Sequence, residues 1–362
     1  MQTPGSGTKQ AITRPNMGTA RAAAVSPPGW RQRYRLRLKR RQLLWRSLRA
    51  RHQLRCLVDR SDLIKPNDLL GFVVLRNESA RLPYFLQYYR ALGVSQFLVV
   101  DNDSTDGSAQ FLADQSDVSL WQTSAGYREA RFGLDWSTWL QIRYGHGHWC
   151  LTVDADELLV YHGVEEHDLT ELTMRLQEQG LAGFGAMMLD LYPKGALGNQ
   201  FYRPGQDPCE VLNWFDAAPY RASRQSPMGN LWLQGGARER AFFAAQPERS
   251  PTLNKIPLVK WNRRYAYVNS THSLLPPALN GIYQGPGGDV PAGVLLHTKF
   301  LPEIVSKSAT EKQRQQHFHT PQDFEHYYDA LSAAPDLWFE NSQQYMGPAQ
   351  LCDLGLMPEL QW

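Results

Sequence analysis

Cysteine is scarce in this chain, and what there is forms no pattern. Cys56, Cys150, Cys209 and Cys352 are the four cysteines among 362 residues, far apart and with no Cys-x-x-Cys. Zinc and disulfide frameworks are therefore disfavoured, and a reducing compartment fits. Long apolar runs are missing too: none approaches the roughly 20 residues that cross a bilayer. No apolar segment of signal-peptide type precedes the first Arg-rich stretch, so a cytoplasmic protein is expected. Acids are almost absent from residues 1 to 60, which carry 15 Lys or Arg against Asp59 alone. The net charge of +3 thus conceals +14 in this arm and −11 in the remainder. The arm has few aromatics to stack on bases, and no nucleic-acid partner is expected.

Hydrophobic residues make up 42% of the chain, enough for a substantial core. The length allows about two domains. Residues 1 to about 30 are rich in Gly, Pro, Ser, Thr and Ala, a composition that points to disorder. From Tyr34 to Leu57, Arg and Lys are interleaved with leucines. Leu36, Leu43, Leu54 and Leu57 fall near one face of a helix, with Ser47 and Ala50 between them. A basic amphipathic helix of this kind suits an anionic membrane surface, here the inner face of the plasma membrane. It also suits a solvated helix packed on its own domain. The expected layout is a basic arm over 1–65, an α/β domain over 66–300 and a helical extension over 301–362.

From Leu69 the pattern is that of an α/β domain. Leu69 to Leu75 reads as a buried strand ending at the polar Arg76-Asn77-Glu78. Leu82, Phe85, Leu86 and Tyr89 then take helical spacing, with Gly93 placed to cap the helix. Gln96 to Val100 is a second strand, running into Asp101-Asn102-Asp103-Ser104-Thr105-Asp106-Gly107-Ser108. A short helix through Phe111 and Leu112, a strand at Val118 to Trp121 and a long helix from Gly126 to Tyr144 come next. The apolar run from Trp149 to Val153 then ends abruptly in Asp154, Asp156 and Glu157, and a second apolar run follows. Strands and helices alternating at this spacing predict a parallel sheet with right-handed crossovers. Ligands of such sheets bind beyond the carboxyl ends of the strands. The clusters at 76–78, 101–106 and 154–157 all fall there. On an extended chain residues two apart point the same way, so Asp154 and Asp156 would face one cation. Hard oxygen ligands suit Mg²⁺ or Mn²⁺ shared with a phosphate-bearing substrate; acids at a strand end also serve as turn formers.

Val99 to Ser108 resembles the nucleotide-recognition segment of family 2 glycosyltransferases, and Asp154-Ala155-Asp156 resembles their metal motif. Asn77-Glu78, Gly126, Ala130-Arg131 and Gly133 fit the same pattern in the same order, with Asp101-Asn102 in place of the more usual paired Asp. The resemblance implies a GT-A fold: a Rossmann-like α/β domain whose mixed, mainly parallel sheet is flanked by helices. It also implies metal-dependent transfer from a nucleotide diphosphate sugar, UDP-linked by expectation, to a hydroxyl of a glycan, polysaccharide or lipid, with inversion. By the same resemblance Asp101 would bond the base and Glu78 would lie near base or ribose. Asp154 would contact the ribose or a metal-bound water, and Asp156 would bind the metal. Arg76, Asp103 and Arg131 complete the donor-binding set on that side. Glu78 serves equally well as a cap, and Asp103 to Gly107 makes a good turn whatever its ligand.

Further on, Asp168 to Gln179 reads as a helix and Phe184 to Leu191 as a strand bearing Asp190. Residues 192 to 236 read as loop, with Trp214, Phe215, Tyr220 and Trp232 to stack on a sugar or pin the loop. Gly235-Gly236-Ala237-Arg238-Glu239-Arg240 offers backbone and guanidinium groups to an anion. Val294 to Phe300 is another strand. Its His297 resembles the late histidine that completes metal coordination in some GT-A enzymes, a core or surface histidine being the other reading; Lys299 would face the diphosphate. An inverting transfer needs a carboxylate base on the acceptor side. Asp216, among Trp214, Phe215 and Tyr220, is the first candidate. Asp190 and Glu239 are the others, Glu239 lying between arginines that lower its basicity. From Pro302 the chain reads as helical, with a start at Thr320-Pro321 and a stripe of Phe324, Tyr327, Tyr328 and Leu331. A sugar nucleotidyltransferase would use similar acids, but Arg76-Asn77-Glu78-Ser79 stands where its Gly-rich basic loop belongs. A non-catalytic carbohydrate- or membrane-binding relative would have lost the acidic motif, which is intact.

Overall fold

The computed structural model describes residues 26–305, 327 and 329–362. Its centre is a nine-stranded sheet. In chain order the strands are β1 (Arg55–Val58), β2 (Leu69–Leu75), β3 (Val94–Asp101), β4 (Val118–Gln122) and β5 (Trp149–Thr152). The second half adds β6 (Glu157–Val160), β7 (Gly183–Asp190), β8 (Asn254–Lys260) and β9 (Ala292–His297). Their order across the sheet is β1-β4-β3-β2-β5-β8-β7-β9-β6. β4, β3, β2 and β5 are mutually parallel. β8 runs antiparallel to both β5 and β7, and β9 is parallel to β7, so β7 and β9 share the direction of β2. β1 and β6 run the other way at the two edges. The sheet is thus mixed and mainly parallel, as the sequence leads one to expect.

Central strands are apolar on both faces because both faces are covered. Leu69, Val73 and Leu75 of β2 pack with α2 (Leu82–Ala91), α3 (Ser108–Ala113) and α5 (Leu169–Glu178). Leu70 and Phe72 point to the opposite face, against α4 (Leu134–Tyr144). The expected long helix over 126–144 begins only at Leu134. Arg131, Phe132 and Gly133 have φ of 53°, 58° and 77°, and three left-handed residues in a row cannot continue a right-handed helix. A Cβ on Gly133 would also stand 2.7 Å from Val74 Cγ1, so that turn needs glycine for space as well. The stretch 192–236 is less irregular than expected: Tyr220–Gln225 and Asn230–Gly235 pair as an antiparallel hairpin.

The basic helix is present as α1 (Trp30–Ala50), shorter at its far end than the sequence suggested; Leu54 lies beyond it and Leu57 is exposed in β1. Its buried residues are Leu36, Leu43, Ser47 and Ala50. Leu36 and Leu43 pack on Ala266 and Leu275, so the apolar face meets the domain itself. Asp135, almost fully buried at the start of α4, fixes this docking. It accepts from Arg46 at 3.1 and 3.2 Å and from Arg131 Nε at 2.8 Å. Asp135→Ala would leave two guanidinium groups without their shared partner, a cost of about 3 kcal/mol. Trypsin should then cut the Arg-rich α1 faster than in the parent protein; an unchanged cleavage rate would contradict the role given to Asp135.

Toward the other terminus, Gln343–Gln344 pairs antiparallel with Trp214–Phe215. Tyr327, Leu331, Leu337, Leu351 and Met357 join the core cluster that includes Met187 of β7 and Val294 of β9. Thr320, Pro321, Phe324 and Tyr328 lie outside the described residues. Among the described residues no helix is long and apolar enough to cross a membrane.

Candidate active site

The topology brings six carboxyl-terminal strand ends and the amino-terminal ends of β8 and β6 to one edge of the sheet. Arg76, Asp101, Asp154, Asp156, Asp190 and His297 arrive there from the first group, Lys255 and Glu157 from the second. Lys255 was not foreseen. Neither was β8, because Pro257 in its middle argues against an interior strand. The register of β8 against β7 shifts between Lys255 and Leu258, and this irregularity accommodates the proline.

Two ionic constellations occupy the middle of the edge. In the first, His297 Nδ1 lies 2.6 Å from Asp190 Oδ1 and its Nε2 lies 3.2 Å from Asp156 Oδ2. Arg238 Nε, from the short helix α6 (Gly236–Phe242), donates to the other oxygen of Asp190 at 2.7 Å. The result is a chain Asp156–His297–Asp190–Arg238, with Asp156 at its open end, 24% exposed. Thr298 pins Asp156 from behind, its N–H and hydroxyl both donating to the Asp156 carbonyl. Burial works against charge on each member, but the partners outweigh it. His297, Arg81 and Lys299 hold the Asp156 carboxyl well below its usual range. Arg238 and His297 lower Asp190 to about 2, and Asp156 and Asp190 raise His297. The entry of α6 depends on Gly235, where φ is 134° and a Cβ would stand 2.2 Å from the Pro219 carbonyl oxygen.

In the second constellation Lys255 Nζ lies 2.9 Å from Asp154 Oδ2 and 2.5 Å from Glu157 Oε1. Lys255 and Glu157 are buried, while Asp154 is half exposed. Burial and the neighbouring Asp154 and Asp156 push the Glu157 carboxyl up, against the pull of Lys255. Asp154 and Asp156 therefore do not face one cation as an extended chain would have it. They sit in a turn between β5 and β6, Asp154 turned to Lys255 and Asp156 to His297.

At the β2 and β3 ends, side chains stitch two loops together. Asn77 Oδ1 accepts from Thr105 N–H, and Asp106 accepts from Ser79 and Ser108. Asn77 and Asp103 adopt left-handed φ of 53° and 60°. Arg76 donates to the Asn102 carbonyl and lies 3.8 Å from the exposed Asp103. Glu78 pairs with the buried Arg81 at 2.6 Å. Arg81, also unforeseen, reaches the Thr298 carbonyl at 3.1 Å and so links this corner to the Asp156 chain. Asp101 is fully buried; Oδ2 accepts from Ser104 N–H at 3.1 Å, and Oδ1 has no hydrogen-bond partner among the described residues.

The three expected base candidates and Arg131 are all engaged by partners within the protein. Asp216 is 2% exposed, held by Arg240 at 2.8 and 3.1 Å and accepting from the Tyr192 hydroxyl, so it is closed to an acceptor. Glu239 is tied to Arg221 and accepts from the Ser250 hydroxyl at 2.6 Å. Asp190 serves His297 and Arg238 from a buried position. Arg131 is taken up by Asp135 and the Tyr267 carbonyl.

No protein-family model matches the chain, and no curated protein does. Among solved structures it is similar to a mannosyltransferase from Pyrobaculum calidifontis in complex with GDP-mannose and Mn²⁺. Identity there is 17%, over 46% of this chain and 47% of that one, at a TM-score of 0.25. It is also similar to a putative glucose-1-phosphate thymidylyltransferase from Bacillus anthracis in complex with sucrose. Here identity is 10%, over 36% of this chain and 60% of that one, at a TM-score of 0.24. Under two thirds of the length of either structure is matched.

Proposed function

We propose that the protein is a glycosyltransferase that moves a sugar from a nucleotide diphosphate sugar, UDP-linked in the first instance, to a hydroxyl of a glycan or lipid acceptor. The observation that carries this reading is the Asp156–His297–Asp190–Arg238 chain at the edge where six strands end. An imidazole whose Nδ1 is held by a buried carboxylate is the usual arrangement of a metal-ligating histidine, and its Nε2 faces Asp156 at 3.2 Å. Among the described residues no three His, Cys, Asp or Glu side chains form a complete cage for an ion. Two protein donors nonetheless fit Mn²⁺ or Mg²⁺, which take much of their coordination from substrate phosphates and water. A divalent ion held by Asp156 and His297 would neutralise charge on the departing diphosphate. Arg81 and Lys299, whose charges already act on Asp156, would add fixed positive potential for the same group. The turn at Arg76 and Asp103 would border the ribose, and the fully buried Asp101 would hold that turn through the Ser104 N–H. Asp154, tied to Lys255, is assigned to the ribose rather than to the ion.

A thermal-shift series with nucleoside diphosphates, with and without Mn²⁺, tests this reading. A ligand present at a hundred times its Kd stabilises by about 2.7 kcal/mol, a rise readily seen in the melting temperature. The expected result is a rise with one diphosphate that depends on the ion. No rise with any nucleotide would overturn donor binding. Release of pyrophosphate from a nucleoside triphosphate and a sugar 1-phosphate, rather than of nucleoside diphosphate from a sugar nucleotide, would replace transfer by nucleotidyl chemistry.

A further inference from the structure

With Leu36 and Leu43 packed inward, the opposite side of α1 becomes informative. Trp30, Tyr34, Leu38, Arg41 and Trp45 recur at intervals of four, four, three and four residues, which places them on one helical stripe. That stripe lies across the helix from the buried Leu36, Leu43, Ser47 and Ala50. Trp30, Tyr34, Leu38 and Trp45 are 75%, 59%, 44% and 60% exposed. Arg31, Arg37 and Arg49 border the stripe, and α1 contains no acidic residue. Large apolar side chains standing in water among arginines have no explanation in the packing of the domain. Beside Trp45 a cleft of about 480 Å³ opens, lined by Arg46, Arg49, His52, Glu129 and Asp135 among others.

We propose that this outer face of α1 lies on an anionic phospholipid surface. Trp and Tyr favour the boundary between headgroups and acyl chains, where an apolar ring and a polar edge are both satisfied. Leu38 would add apolar depth, and the arginines would stay at the level of lipid phosphates. The stripe is about 22 Å long at the helical rise, so it fits a helix lying in the membrane plane, which needs no spanning segment. The face used is opposite to the leucine face that the sequence alone picked out. Binding requires nothing of the sheet edge and stands independently of the proposed transferase activity.

The full-length protein should co-sediment with vesicles of phosphatidylglycerol and phosphatidylcholine in equal parts, but not with phosphatidylcholine alone. Trp emission should shift to the blue, and added salt should weaken the adsorption. Trp30→Ser/Trp45→Ser, on the exposed side, should keep the helix content and melting temperature and lose on the order of tenfold or more in partition. Arg37→Glu/Arg41→Glu should lose binding as well. If the double Trp variant sediments as the parent does, the stripe is not the contact and the proposal fails. It fails equally if neither vesicle binds while an RNA oligonucleotide is retained through the same residues.

Discussion

Lys255→Met is expected to destabilise the fold by about 3–5 kcal/mol, the cost of breaking a buried ion pair from one side. The size follows from where the partners sit. Glu157 opens the edge strand β6 with its carboxylate at 1% exposure, and Lys255 is the cation placed 2.5 Å from it. Asp154 loses its partner too, but it is half exposed and can turn to water. Methionine fills the space and removes the charge, so the remaining carboxylate must either stay ionised without a partner or take up a proton. Against a total stability of about 5–15 kcal/mol, that is a large fraction. Urea unfolding of the parent, Lys255→Met and Lys255→Met/Glu157→Gln distinguishes the causes. The double variant should recover much of the loss, because a neutral amide beside methionine leaves no isolated charge. A single variant within about 1 kcal/mol of the parent would show that the pair is not what holds this corner.

The first half of the sheet was legible because its strands are short apolar runs bounded by polar residues. β2, β3, β4 and β5 each pack side chains against helices on both faces, so composition alone marked them, and their ends marked the edge. What escaped was decided by contacts distant in sequence. β8 carries a proline that local rules exclude from a sheet interior, and a shift of register admits it. With that strand hidden, Lys255 was hidden too. Asp216 looked like a base because its neighbours in sequence are aromatic. Its fate was set by Arg240, on the next helix, and by Tyr192, in the preceding loop. Two arginines two residues apart on α6 each neutralise one candidate, Arg238 with Asp190 and Arg240 with Asp216. The segment Gly235 to Arg240 reads as offering guanidinium groups to an anion; in the structure Arg238 and Arg240 are paired with the protein's own Asp190 and Asp216. His297 resembled a ligand in sequence, and the structure adds what spacing could not, the buried Asp190 behind it.

Asp156→Asn is expected to lower turnover by about 10²–10³-fold, as the loss of a preorganised electrostatic contact does. The fold should persist, since the main-chain carbonyl of residue 156 still accepts from Thr298, and an amide of the same size still offers an oxygen to His297. Removing the charge, however, deletes the carboxylate that would hold the ion and leaves Arg81, His297 and Lys299 without the acid they share. The ion-dependent rise in melting temperature with a nucleoside diphosphate should therefore vanish together with donor turnover. Asp190→Asn is the informative companion. That residue touches no donor; it positions His297 and neutralises Arg238, so its loss should cost about 10–100-fold in ion affinity. A response to raised Mn²⁺ would separate the two variants: Asp190→Asn should regain turnover at high ion concentration, and Asp156→Asn should not. Full turnover of Asp156→Asn, or of the parent protein in EDTA, would remove both the ion and this carboxylate from the reaction.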